Sequence, residues 1–189
     1  MTSAVNIANQ ALLMLGENAI QSLDEQTTEA QLANAFYADT RNYVLADLKP
    51  PFARLRVALS DALQPPAIGT TPNRYALPVD CLVAVSAGTL DRSYTNWVVE
   101  GREILAQQPL QWITYVSNEG DLESVMDPMF VKALVAYLAH DLSFGVTGDR
   151  GEKTDYLQIY ALRAGEARNL YGQQGSTQVT SSDELQVGR

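Results

Sequence analysis

In 189 residues the chain has one cysteine, Cys81, and one histidine, His140. A lone cysteine closes no intramolecular disulfide, and zinc sites that need several Cys and His cannot be built from one chain. No stretch approaches the ~20 apolar residues that span a bilayer, so no membrane partner is expected. The first residues lack a basic region followed by an apolar run, and no signal peptide is expected there. Cations are scarce: 13 Lys and Arg stand against 22 Asp and Glu, a formal charge of −9. Such a surface repels phosphate and lacks the cations whose counterion release drives nucleic-acid binding. Sequence-specific DNA reading is not expected on that ground, whereas letting DNA pass without adhering suits the charge. The expectation is a soluble protein made in a reducing cytoplasm.

What is present is enough apolar residue, 46%, to bury one core at this length. Val5, Ala8, Leu12 and Leu15 recur at helical spacing, widened by Ile7, Ala11 and Met14. Thr2 or Ser3 can cap this helix and Gly16 can stop it. Ser22 and Glu25 have the spacing of a capping box, with Thr27 a later candidate start for a second helix ending near Leu48. Its apolar face is Ala30, Ala33, Phe36, Tyr37, Thr40, Tyr43, Val44 and Leu48. Pro50-Pro51 ends it.

The middle has strand character. Ala53, Leu55, Val57 and Leu59 alternate with Arg54, Arg56 and Ala58. A loop is expected at Pro65-Pro66, Gly69, Pro72 and Asn73. Tyr75-Ala76-Leu77-Pro78, Leu82 to Val85, Trp97-Val98-Val99, Ile104-Leu105 and the run 110–116 follow as short β-rich pieces, which predict a small antiparallel sheet. Asp127 caps a third helix with Pro128 in its first turn. Its apolar face is Val131, Leu134, Val135, Leu138 and Leu142, and it stops at Gly145. A last helix carries Leu157, Tyr160, Ala161, Ala164 and Tyr171 and stops near Gly172. The predicted fold class is α+β, mainly α: a helical bundle of about four helices with a small antiparallel β insertion and a flexible C-terminal tail. Residues 1–50 and 127–172 form the bundle domain, 51–126 the insertion and 173–189 the tail, which is poor in residues to bury.

Chemistry is sparse. His140-Asp141 lies inside a helix without a second histidine, and adjacent helical residues point to different faces, so a structural or surface role is expected. Cys81 enters an apolar strand and reads as a small buried hydrophobe. Glu17 and Asp24 flank a turn where helix dipoles account for them. Residues 145–151 are glycine-rich but lack the Gly-Lys-Ser/Thr ending of a phosphate loop. Asp121, Glu123 and Asp127 lack the spacing of a calcium loop and read as a solvated turn. No catalytic residue, cofactor or metal site is expected, and the chain is read as not an enzyme. The aromatics carry more information, because they are enriched at protein interfaces.

Ala11-Leu12-Leu13-Met14-Leu15-Gly16-Glu17 followed by Ile20-Gln21-Ser22-Leu23-Asp24-Glu25 resembles the start of the phage tail tubular protein A family. So do the run 30–37 and Thr40-Arg41-Asn42-Tyr43-Val44-Leu45. Pro50-Pro51-Phe52-Ala53-Arg54 is similar to a family segment, with Pro51 where the family often has an aromatic. Tyr75-Ala76-Leu77-Pro78-Val79-Asp80-Cys81-Leu82 and Asp127-Pro128-Met129-Phe130 match in order, and the resemblance covers about residues 3 to 171. It implies a head-to-tail adaptor (connector) of a short-tailed bacteriophage: a homo-oligomeric ring of twelve subunits, a dodecamer, at the head-tail junction of the virion. Its partners would be further copies of itself, the portal protein and the tail nozzle protein, with double-stranded DNA passing through non-specifically at genome ejection. Assembly would take place in the host bacterial cytoplasm. The resemblance transfers no catalytic residue.

A closed ring needs head-to-tail contacts between two different faces. The candidate faces are the exposed side of the second helix and the insertion around Trp97 and Trp112. Arg54 and Arg56 are candidates to pair with a neighbour's acids. Gln173 and Leu185 mark a tail expected to order on portal or nozzle. The competing expectations are a virion-associated cell-wall hydrolase, which needs convergent acids or a nucleophile–base pair, and the adaptor of a long-tailed phage.

Overall fold

A computed structural model describes residues 2–59, 73–90, 92–147 and 152–174. Helix α1 spans Ala4–Met14 and is capped by Ser3, whose hydroxyl accepts from the Asn6 amide at 3.2 Å. Gly16 follows with φ +80, the left-handed conformation that ends the helix at little cost for glycine. Asn9 then pins the returning chain by bonding both the carbonyl and the amide of Ile20, each at 2.8 Å. Ser22 and Glu25 do not cap a helix. Glu25 accepts from the Gln21 and Ser22 amides and closes a turn, and α2 (Thr28–Leu48) starts from Thr27 as N-cap. Lys49 ends α2 in a left-handed conformation, and Pro50 then leads into a single 3-10 turn at Pro51–Ala53.

Helix α3 (Pro128–Thr147) is the centre of the helical part, and α4 (Glu152–Gln174) packs against it. Phe130, Ala133, Leu134, Leu138, Ala139 and Leu142 have no solvent exposure. These positions lie all round the helix, as expected of one enclosed by neighbours. Helices α1, α2 and α4 each pack on α3 and touch one another far less. Alanines at the contacts (Ala8 and Ala11 of α1, Ala30 and Ala33 of α2, Ala164 and Ala167 of α4) are fully buried and bring the backbones close. Gly145 lies within α3 and Gly172 within α4, so both helices run past their predicted stops.

Among the described residues seven strands form two antiparallel sheets. Strands β1 (Arg54–Ala58), β7 (Trp112–Ser117), β3 (Cys81–Gly88) and β4 (Ser93–Tyr94) pair in that order. Strands β2 (Asn73–Ala76), β6 (Glu103–Ala106) and β5 (Trp97–Glu100) form the other sheet. The first sheet curves as a half-barrel, and β3 shifts register against β7 twice, between Cys81 and Val83 and between Ala84 and Ser86. Such irregularities bend a strand. β7 is the wall between two cores. Val116 joins the helical core with Ala53, Val83 and Val85, while Ile113 and Tyr115 join a second core with Tyr75, Ala87 and Ile104.

This corrects the expected architecture. The molecule is α+β with two sheets and a second hydrophobic core, not a four-helix bundle carrying a small insertion. Short apolar runs declare strands but not their partners. β1 pairs with β7 across more than fifty intervening residues, and no local pattern encodes that pairing. Of the expected loop, Asn73 instead begins strand β2, paired with Ala106 of β6; Pro65-Pro66, Gly69 and Pro72 lie outside the described residues, as does the tail beyond Gln174.

Candidate functional site

Arg54 and Arg56 stand on β1, an edge strand. Arg54 donates through Nε to the Lys49 carbonyl at 2.8 Å and ties the strand to the end of α2. Arg56 donates to Thr114 Oγ1 at 3.1 Å, and its guanidinium lies 4.5 Å from the centre of the Trp112 ring. The structure therefore brings Arg56 and Trp112 together as a cation–π pair. Trp112 donates its indole N–H to the Thr89 carbonyl. Trp97 is on the other sheet, its indole bonded to the Tyr94 carbonyl at 2.9 Å. Gln173 is exposed in the last turn of α4. Leu185 lies outside the described residues.

Tyrosines make a recurring contact in the interior. Tyr37 of α2 donates to Glu123 at 3.1 Å, and Tyr171 of α4 donates to Asp127 at 2.6 Å. Tyr160 of α4 donates to Asp47 of α2, and Tyr115 of β7 donates to Asp80 at 3.0 Å. Each pair joins segments far apart in the chain. Burial, reinforced by the neighbouring carboxylate, raises all four hydroxyls above the usual tyrosine value, Tyr115 to about 12. Burial also raises Tyr137 to about 12, with Tyr43 adding to the shift.

These acids include two of the three expected in a solvated turn, Glu123 and Asp127, while Asp121 is exposed as expected. Burial alone would raise Glu123, but bonds and charge from Arg41, at 2.9 Å, hold it below the usual carboxylate range. Asp80 is opposed by burial in the same way and held low by Ser117, Tyr115 and Arg102. Asp127 accepts from the Met129 and Phe130 amides at 2.9 and 3.0 Å, the predicted cap of α3. Among the described residues no group of three or more His, Cys, Asp or Glu is placed to hold a metal ion. None of their helices is long and apolar enough to cross a membrane.

His140 and Asp141 do meet, contrary to the expectation that adjacent helical residues diverge. Nδ1 lies 3.1 Å from one carboxylate oxygen, while Thr40 donates to the other at 2.6 Å. The carboxylate stands between hydroxyl and imidazole. A nucleophile relay needs the imidazole in the middle, to take the hydroxyl proton directly. The arrangement joins α2 to α3 instead. Cys81 is 5% exposed, a buried hydrophobe whose thiol is raised by burial.

The surfaces that the sequence did not reveal are apolar. Leu13 is 61% exposed beside Met14, and with Val135 and Ile159 it lines a groove of about 430 Å³ bordered by Lys132 and Arg163. Leu12 takes the buried position, so the adjacent Leu13 cannot share it. On β5, Val98 and Val99 are 52% and 43% exposed at the free edge of the three-stranded sheet. Phe36 and Tyr43, placed on the apolar face of α2 by their spacing, are partly exposed, and Leu45 takes a core position.

No protein-family model matches the chain, and no curated protein matches it either.

Proposed function

We propose that the chain is a structural ring subunit of a tailed bacteriophage, the head-to-tail adaptor that joins portal to nozzle and encloses a channel for DNA. The observation that carries this reading is that the exposed apolar residues among the described ones include two separate surfaces. One is the α1–α3–α4 groove with Leu13, the other the β5 edge with Val98 and Val99. Head-to-tail closure of a ring needs two unlike adhesive faces on every subunit. Exposed apolar area of this kind marks interaction surfaces. The motifs at 11–25, 40–45, 50–54, 75–82 and 127–130 supply the family to which the reading appeals. The charge of −9 per copy accumulates around a ring and repels the DNA backbone, which lets the genome slide.

The test mixes purified chain with portal rings and images the product. Rings seated on portal are expected, with Leu13→Asp and Val98→Asp each abolishing the ring while far-UV circular dichroism stays unchanged. A chain that remains monomeric on portal, or either variant forming rings as well as the parent, would refute the assignment.

A further inference from the structure

Among the described residues the two sheets have four edge strands, β1, β4, β2 and β5, and three of them are blunted. β1 carries Arg54 and Arg56, β2 carries Arg74, and β4 is two residues long. Charge and brevity are common guards against edge-to-edge pairing. β5 has neither within Trp97-Val98-Val99, and both valines are exposed. Its backbone is only half used. Gln107 donates to the Asn96 carbonyl, and Val98 stands level with Leu105. The ladder to β6 therefore takes the amides and carbonyls of Asn96, Val98 and Glu100. Those of Trp97 and Val99 point to the open side, spaced to receive another strand.

We infer that β5 of a second copy takes this place, so that the free chain forms a two-fold dimer. The strand complements itself when laid antiparallel with Val98 on the axis. Trp97 of each copy then falls opposite Val99 of the other, and these are the residues whose amides and carbonyls face outward. Val98 meets its own counterpart as a pair without hydrogen bonds, the α-carbons about 4.5 Å apart. At each end Glu100 lands opposite Asn96. Both side chains are exposed and neither has a partner among the described residues, and the amide can donate to the carboxylate. No like charges are opposed. The two three-stranded sheets join into one, in the order β2-β6-β5-β5-β6-β2. So short a pairing belongs to the small, transient class of interfaces, and the dimer forms and parts with concentration. It stands on the β5 edge alone and does not need the adaptor reading. If both hold, the dimer covers one adhesive face until the ring takes up the subunit.

Sedimentation equilibrium of the full chain over a range of concentrations should show a reversible monomer–dimer equilibrium. Val99→Pro removes an amide that faces the open side and not β6, a position where an edge strand accepts proline. It should leave far-UV circular dichroism and the urea midpoint unchanged and abolish the dimer. Disulfide trapping reads the register, the native Cys81 being buried. Val98→Cys sets two thiols across the axis within the span of a disulfide and should oxidise to a linked dimer. Val99→Cys, two residues out of step with its counterpart, should not. Asn96→Glu places like charges opposite Glu100 at both ends and should weaken association about ten-fold, whereas Asn96→Lys should tighten it by a similar factor. A chain that stays monomeric at every concentration overturns the inference. So do Val99→Pro dimerising like the parent, the two cysteine variants linking equally, or equal affinities for the two Asn96 variants. Ring formation on portal is scored separately, so rings from a chain that never dimerises sink the pairing and leave the adaptor reading standing.

Discussion

Asp127 does two jobs at once, and removing it should expose both. One carboxylate oxygen receives the Met129 and Phe130 amides at the start of α3, and the other receives the Tyr171 hydroxyl at 2.6 Å. Loss of an N-cap of this type costs about 1 kcal/mol, and loss of a hydrogen bond to a charged group about 1.5–3 kcal/mol. Asp127→Ala should therefore destabilise by about 3 kcal/mol, and Tyr171→Phe by about 1.5 kcal/mol, because it spares the cap. The double variant should be no worse than Asp127→Ala, a coupling of about 1.5 kcal/mol. Urea titration followed by circular dichroism, with a common slope, gives these values. The corresponding fall in Tm for Asp127→Ala is about 6–12 °C for a chain of this size. Asp127→Asn should lie between, since the amide oxygen still caps but the charge is gone. Additive losses in the double variant, or an Asp127→Ala cost under about 0.5 kcal/mol, far below the usual cap value, would show that the dual role is wrong.

Two further outcomes follow from ionisation. The tyrosines raised in the folded state favour folding while neutral. Stability should hold up to about pH 10, where unfolded-chain tyrosines begin to ionise, and fall above it toward the folded values near 12 of Tyr115 and Tyr137. Phenolate absorbance should then rise in two waves, and a single wave at the ordinary tyrosine value in the still-folded chain would contradict the buried pairs. At the acid end, Glu123 is held low in the fold, so its contribution is present above the ordinary carboxylate value and vanishes as pH drops through the folded one. Arg41→Met removes the largest influence holding that carboxyl low and leaves burial opposed only by a backbone hydrogen bond and the Tyr37 hydroxyl. It should lower stability at neutral pH and move acid unfolding, read by tryptophan fluorescence, to higher pH; an unmoved midpoint would show that Arg41 does not hold Glu123.

Much of the helical part was legible because its signals are local. Ser3, Gly16, Pro50 and the Asp127-Pro128 pair act on their immediate neighbours, and helix starts and stops follow from them. Misplaced boundaries came from competition between equivalent signals, as with Ser22 and Thr27. Sheet organisation was far less legible, because the β1–β7 and β2–β6 pairings are settled by which apolar faces meet in the folded chain. The same holds for the candidate surfaces. Arg56 and Trp112 were each singled out, but only strand register places one over the other. Leu13 could be recognised as surplus only once Leu12 was known to face α3. The tyrosine–carboxylate pairs left no trace in the sequence, since their members are separated by 35 to 113 residues.

Those pairs have a mechanical consequence. An aliphatic contact tolerates sliding, whereas a phenol aimed at one carboxylate has a single good position. Tyr37, Tyr160 and Tyr171 each key a helix to a distant part of the chain, so α2 and α4 cannot creep along α3 without breaking a buried bond. A body repeated many times about an axis meets its first copy only if every copy subtends the same angle. In the proposed ring, small slack in each unit would add up to an open spiral, and keyed helices would remove that slack at its source.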